Sequence, residues 1–494
     1  MAKTGEVKAG ISTFHLTMMA LGTVVGGSFF LGSGVGIKAA GPSILIAYII
    51  GGALVYIILY ALSEMTVADP VSGSFRTYAE RSFGAGAGFV TGWVYWIGLI
   101  FAMSSESIAA STFLRVWFPN LSPGFTGTVI VVAVTLLNLL GAKYLSNLES
   151  GLAAIKLIAI AGFIAIGLAI IAGLMPGIPA VGAGELRAEP WLPGGIAGIA
   201  GSMLTVVLTY AGFEVIGLAA SEVREPRKTI PRAINLTLIS LIGLYVASIA
   251  VILPLFPTGG ITADESPLVL ALTRWGMGWA STLMNIVMIT AILSTMLAAM
   301  FGLGRMIRSL AAEGHAPNWL KDKTDVPYRG ILFSGAAMLA GLGLGYLLPQ
   351  QVYLFLLSLG GFSLLFSYFV ILASHYKWRR HTPCSPEAVC QLPGYPYTSW
   401  AGLIAMIAII VSMPFIPGQG TGLVIGLVLV ALLSGMYYLK TRLAGRRALG
   451  LRRKYTGNAA GQTGRLRVPL AQMEASEEVA TPDQSADKRP DKPN

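Results

Sequence analysis

Charge is what this chain of 494 residues has least of: Asp, Glu, Lys and Arg make up 12% of it, against 54% hydrophobic residues. With a mean hydropathy of +0.70, so little charge excludes an ordinary solvated surface and leaves a polytopic membrane protein. Cysteine is nearly absent as well, with two in the whole chain, which excludes a disulfide scaffold. Cys384 and Cys390 share one short loop with His381. A closed zinc site takes four ligands at tighter spacing, so two reduced thiols are expected, with no metal and no cofactor. A nucleophile elbow, a phosphate-cradling loop with a downstream lysine and a metal-ligand cluster are all missing, which argues against an enzyme. The net charge of +11 raises the question of nucleic acid, but the charge follows the ends of apolar segments, so no nucleic-acid partner is expected.

Long apolar runs are what the chain has instead. Stretches of about 18 residues or more recur about a dozen times, predicting helices near residues 12–38, 43–67, 87–116, 125–142, 148–174, 196–221, 232–255, 277–311, 329–347, 351–376, 398–416 and 421–440. The reading is an all-α membrane domain over 12–440, between a short cytoplasmic tail, 1–11, and a basic tail, 441–494. No cleavable leader is expected. With the N-terminus inside, the loops of that side hold Arg76, Arg81, Lys143, Arg224, Arg227, Lys228, Arg232, Lys321, Lys323, Arg329, Lys377, Arg379 and Arg380. The opposite loops hold little beyond Lys38, Arg115, Arg187 and Arg274, partly offset by Glu185, Glu189, Asp264 and Glu265. Both termini are therefore expected in the cytoplasm. Trp93, Tyr95, Trp96 and Trp117 read as interfacial anchors. The run Arg442, Arg446, Arg447, Arg452, Arg453 and Lys454 suits anionic lipid, and disorder is expected beyond about Ala460.

The first apolar segment is interrupted by Ala20-Leu-Gly-Thr-Val-Val-Gly-Gly-Ser-Phe-Phe-Leu-Gly-Ser-Gly34. Glycine at this density breaks a helix, and in a bilayer a break survives only where the freed backbone is buried or lines a cavity. A half-helix starting near Phe29 would turn the N–H groups of Gly26, Gly27 and Ser28, with a positive dipole end, toward a carboxylate. The alternative is a face of small residues for close helix packing. The sixth segment repeats the anomaly at Leu208-Thr-Tyr-Ala-Gly-Phe-Glu214. Two broken helices five segments apart are the signature of two five-helix repeats of opposite topology, 12–174 and 196–376, with a midplane site between them and two extra helices over 398–440. The carbonyls ending the first half of the sixth helix would take an ammonium group, so the pair of breaks fits a zwitterion.

Three ionisable residues fall inside apolar segments, each costing about 2.5–3.5 kcal/mol at the membrane centre. Lys156 lies about eight residues, roughly 12 Å, into the fifth helix, too deep to snorkel easily. It reads either as a functional group able to gain and lose a proton or as half of a structural ion pair. Glu214 either lines the cavity or binds stray amides at the second break. Glu106, among Ser104, Ser105 and Ser107, either lines the cavity or pairs with a neighbouring serine.

These residues resemble the amino-acid permeases of the amino acid, polyamine and organocation transporter superfamily, over about residues 12–440. The likeness is carried by Gly26-Gly27-Ser28, Ala40-Gly-Pro-Ser43, Ala61-Leu-Ser-Glu-Met65, Thr91-Gly-Trp93, Ala211-Gly-Phe-Glu214, Glu222-Val-Arg-Glu-Pro226 with Pro231, Gly304-Arg-Met306 and Glu313-Gly-His-Ala-Pro317, in that order. The resemblance implies the inverted-repeat fold of the bacterial leucine transporter, with helices 1 and 6 unwound. It implies a secondary transporter of amino acids in the cell membrane. The substrate carboxylate would lie on Val25, Gly26, Gly27 and Ser28, and the amine on Thr209, Tyr210, Ala211 and Gly212, with Leu208 in the place of an aromatic gate. Lys156 matches a fifth-helix lysine whose amine stands where sodium-coupled relatives hold sodium, near Ser294 and Thr295 of the eighth helix. Two departures stand out: the usual Gly-Thr-Gly or Gly-Ser-Gly turn reads Gly26-Gly27-Ser28, and Leu297-Ala298-Ala299 replaces Asn-Ser-Gly. The second removes sodium ligands and leaves proton symport favoured over sodium. Obligatory exchange and a non-transporting amino-acid sensor are the alternatives, and oligomeric state is not assigned.

Overall fold

Apolar helices that cannot satisfy their backbone in lipid must do so internally, and the computed structural model is helical throughout, with no strand among the described residues. Those residues are 11–459 except 72, 220–222, 224, 263–264, 323, 325, 348–351, 382–391 and 417. The order is α1 Thr13–Val24, α2 Gly27–Phe30, α3 Gly32–Ala40, α4 Ile44–Ala68, α5 Ser74–Phe83, α6 Ala85–Leu114, α7 Pro123–Asn138, α8 Ala142–Ile171 and α9 Gly195–Thr209. Then follow α10 Val215–Ala219, α11 Pro226–Leu255, α12 Pro267–Arg274, α13 Gly278–Ala312, α14 Tyr328–Leu347, α15 Val352–His381, α16 Tyr397–Ser412 and α17 Gly420–Ala459. Eight helical stretches among the described residues are long and apolar enough to cross a membrane, and α1, α7 and α9 are shorter apolar helices.

Most ends lie within a few residues of those read from hydropathy, and the differences have physical causes. The short helices α5 and α12 were not expected, because a search for spanning runs passes over amphipathic helices of 10 and 8 residues. The last helix, expected to stop near 440, continues to Ala459. Lys and Arg are good helix formers, so the end of the apolar pattern is not the end of the helix. One compact unit runs to Tyr437, and residues from Tyr438 form a second. Arg224, Asp264, Lys323, Cys384 and Cys390 lie outside the described residues, as does the chain beyond Ala459.

In the first unit α6 is the central post, packed against α5, α7, α13, α14 and α15. Its buried surface includes Tyr95, Trp96 and Glu106. Three of the four aromatic residues read as interfacial anchors serve otherwise. Tyr95 and Trp96 are buried, and the indole N–H groups of Trp96 and Trp93 donate to Ser334 Oγ at 3.0 Å and to the His315 carbonyl at 3.1 Å. Trp117 is exposed. Hydropathy places an aromatic ring at a segment end, but a hydroxyl or indole N–H that finds a buried acceptor is drawn inward.

Candidate functional site

The first break is two residues long. After α1, Val25 (φ −78°, ψ 96°) and Gly26 (φ −139°, ψ −161°) are extended, and α2 begins at Gly27, two residues before the expected start. This frees the last carbonyls of α1 and the first amides of α2. Three other helices supply their partners. Lys156 Nζ, from the wholly buried side of α8, donates to the carbonyls of Gly22 at 2.6 Å, Val25 at 2.9 Å and Ala291 at 3.3 Å. Thr295 Oγ1 of α13 donates among the same three carbonyls, at 3.3, 3.1 and 3.1 Å. An ammonium group at the carboxyl end of a half-helix is the charge its dipole favours. Ser294 does not join this cluster: its hydroxyl is buried with no hydrogen-bond partner among the described residues.

The amide side of the break is met by a carboxylate of the same chain. The N–H groups of Gly27 and Ser28, expected to face a ligand, donate to the carboxylate of Glu106, at 2.7 Å to Oε2 and 3.0 Å to Oε1. Ser28 Oγ adds a third bond to Oε1 at 2.7 Å. Glu106 therefore pairs with the break itself and not with its serine neighbours, because a carboxylate buried to 3% exposure requires donors and a helix start offers them. The glycines answer this crowding. A Cβ on Gly26 would lie 2.9 Å from Thr295 Oγ1, and one on Gly27 only 2.6 Å from Glu106 Oε2.

The second break spans Tyr210 to Glu214, between α9 and α10. Gly212 turns it with φ +111°, a conformation L side chains rarely adopt. A Cβ there would stand 3.0 Å from the carbonyl oxygen of Thr23, so the second break packs against the last turn of α1. Glu214 stabilises the turn. Its Oε2 accepts from the Gly212 N–H at 3.0 Å and from Tyr368 Oη at 3.1 Å, and its Oε1 accepts from Tyr95 Oη at 3.1 Å. Tyr95 and Tyr368 are contributions that the sequence reading missed; their only signal was a mid-segment position opposite a buried acid. Replacing Glu214 with Ala strands two buried hydroxyls and one amide, each costing about 1–3 kcal/mol. A clear drop in the melting temperature of the detergent-solubilised protein is the expected outcome, and an unchanged value would show the turn to be held by other contacts.

Between the breaks lies a small, largely enclosed cavity. Its polar lining includes Thr23, Ser28, Tyr95, Glu106, Glu214 and Thr295, and its apolar walls include Val24, Leu99, Met103, Leu208, Leu357 and Leu364. Ala211 and Gly212 also line it. Thr209 and Tyr210 point elsewhere: the Thr209 hydroxyl donates to the Val206 carbonyl at 2.7 Å, and Tyr210 Oη to the Tyr48 carbonyl at 3.1 Å, its ring against Tyr48 and Tyr245. Among the described residues no hydrogen bond reaches the backbone carbonyls of Thr209, Tyr210 or Ala211.

Two further polar clusters hold the helices together. Arg76, expected in an exposed loop, is fully buried; its guanidinium donates to Glu80 at 2.8 Å and to Glu313. Glu80, Glu313 and His315 gather ligand atoms within 4.8 Å of one another, and the guanidinium supplies the positive charge that this group calls for. Burial raises the Glu80 carboxyl above its usual range. Burial also works to raise Glu313, but the hydrogen bond and charge of Arg76 outweigh it and hold Glu313 below its usual range. In the second cluster, buried Glu64 Oε2 meets His375 Nε2 at 2.8 Å, Arg379 Nη1 at 3.0 Å and the Leu392 N–H at 3.2 Å. The acidic residues of two of the sequence motifs thus hold helices together.

The family model for amino acid permeases matches residues 15–449. The chain belongs to the amino acid permease family. This permease is 33% identical to the uncharacterized amino acid permease YtnA of Bacillus subtilis, over 88% of its own length and 95% of the relative. It is 34% identical to the aromatic amino acid transport protein AroP of Corynebacterium glutamicum, covering 82% and 89%. It is 31% identical to the gamma-aminobutyric acid permease of B. subtilis, covering 86% and 93%. Its relatives are permeases, not enzymes. Among solved structures, a manganese transporter of Eremococcus coleocola aligns with a TM-score of 0.52 at 15% identity, covering 88% of this chain and 94% of that one. That likeness is one of fold alone, the leucine-transporter arrangement with its interrupted helices.

Proposed function

We propose that this permease is a secondary active transporter importing a neutral amino acid across the plasma membrane by proton symport, with twelve spanning segments and both termini cytoplasmic. The observation that carries the reading is the seat of Lys156. Its ammonium bonds the carbonyls of the first break, and that break borders the cavity through Val24 and Ser28. Protonation of one buried group is thereby tied to the shape of the binding site. The open carbonyls of Thr209, Tyr210 and Ala211 suit the substrate ammonium. The amides of Gly27 and Ser28 suit its carboxylate once Glu106 withdraws, and the walls of Leu99, Met103, Leu208 and Leu364 suit an apolar side chain. Rocking of one helix bundle against the rest would alternate access to the cavity. The basic run from Arg442 to Lys454 would rest on anionic lipid.

A second reading, obligatory exchange, is favoured by the three carbonyls around Nζ, which suit a permanently charged lysine standing in for a metal cation. Uptake of a panel of radiolabelled amino acids into liposomes holding the purified protein separates the two. Accumulation that requires an inward proton gradient is the expected result. Uptake only against preloaded internal amino acid would establish exchange instead, and binding without uptake would make the protein a sensor.

A further inference from the structure

The buried side of α8 carries a second ionisable group that the proposed mechanism leaves unused. Glu149 lies seven residues before Lys156, two turns or about 10 Å along the axis. Glu149, Ala153, Lys156, Ile160 and Phe163 follow one another at steps of four and three residues and are all buried, so they form a single stripe. Oε1 of Glu149 has no hydrogen-bond partner among the described residues, whereas buried polar atoms ordinarily have one.

Both ionisable side chains meet the same residue of α1. Lys156 Nζ bonds the Gly22 carbonyl at 2.6 Å, and a Cβ added to Gly22 would stand 3.5 Å from Glu149 Oε1 and 3.4 Å from Ala153 Cβ. Glycine at this position keeps the surface between the two groups free of a side chain. Among the described residues the charge acting on Glu149 is Lys156, and Lys156 in turn faces Glu149 and Glu106. Among the described residues the helices α1, α7, α11 and α13, packed against α8, bring no other charged group to bear on Glu149.

We propose that Glu149 is the relay through which Lys156 exchanges its proton with water at the end of α8 where that helix begins. In the step, an N–H bond of the Lys156 ammonium breaks and its proton passes to an intervening water, which gives one of its own protons to form an O–H bond on the Glu149 carboxylate, leaving a neutral amine, a carboxylic acid and the water unchanged. The acid then releases the proton to water and returns to carboxylate, and the reverse sequence reloads the lysine. Glu149 acts here as a positioning residue that serves Lys156 and does not touch substrate.

This inference rests on the proton-coupled reading, and the experiment separates the two. Liposomes holding the full-length wild type, Glu149→Gln or Glu149→Asp are assayed with a radiolabelled mixture of the common amino acids. Proton-driven uptake across a range of pH and exchange against internal amino acid are both measured. In Glu149→Gln the ratio of proton-driven uptake to exchange is expected to fall about tenfold and the pH profile of uptake to flatten, with Glu149→Asp restoring both in part. An unaltered ratio and pH profile in Glu149→Gln overturns the relay. Equal loss of uptake and exchange in both variants also overturns it, in favour of a packing role. Absence of proton-dependent uptake in the wild type overturns the coupling reading itself, before any variant is compared.

Discussion

Lys156→Met is expected to abolish proton-driven accumulation while leaving the helices assembled. Methionine matches the length and apolar stem of lysine, so the fully buried channel between α1, α8 and α13 stays filled. The ammonium group alone is lost, and with it three charge-assisted hydrogen bonds to the carbonyls of Gly22, Val25 and Ala291. Thr295 continues to donate to the same carbonyls, so the cost to the folded state should stay within about 1–3 kcal/mol. The first break loses its only cationic partner among the described residues. A loss of roughly 100-fold or more in net proton-driven uptake follows if the lysine is the coupling group. Liposome uptake with and without a proton gradient, alongside a melting curve, checks both halves. Undiminished accumulation in a folded Lys156→Met protein would rule out the coupling role.

Gly27→Val should abolish high-affinity binding. The first added carbon alone would lie 2.6 Å from Glu106 Oε2, with Ala109 Cβ and Ile292 Cδ1 each at 3.2 Å on the remaining sides. The valine methyl groups have no free direction, so either α2 shifts or Glu106 is driven off the amides. Overpacking of this kind costs about 1–3 kcal/mol, and the anion-binding amides are displaced as well. A loss of about 100-fold in affinity, near 2.7 kcal/mol, is expected in equilibrium binding of the labelled substrate to purified protein. Wild-type affinity in Gly27→Val would mean that the substrate does not use the first break.

The helices and both interruptions were legible in the sequence because each depends on local chemistry. Apolar runs longer than a bilayer is thick, and glycines such as Gly26, Gly27 and Gly212 within them, mark themselves. The partners of those interruptions were harder to read, because pairing is a property of the tertiary fold. Nothing local indicates that Glu106, 79 residues from Gly27, meets its amide, or that Tyr368, 154 residues from Glu214, donates to its carboxylate. Arg76 looked like a loop charge because positive charge near a segment end has two outcomes, solvent or a buried acid, and only the fold brings Glu313 to it. Glu149 was legible in principle. Its seven-residue spacing from Lys156 places both on one face of a helix, but it lies near a segment end, where an acid attracts no notice.

The contact between Gly212 and the Thr23 carbonyl has a mechanical meaning. The turn of the second break lies backbone against backbone with the end of α1. A side chain at position 212 would therefore press first on the last turn of α1, at the Thr23 carbonyl.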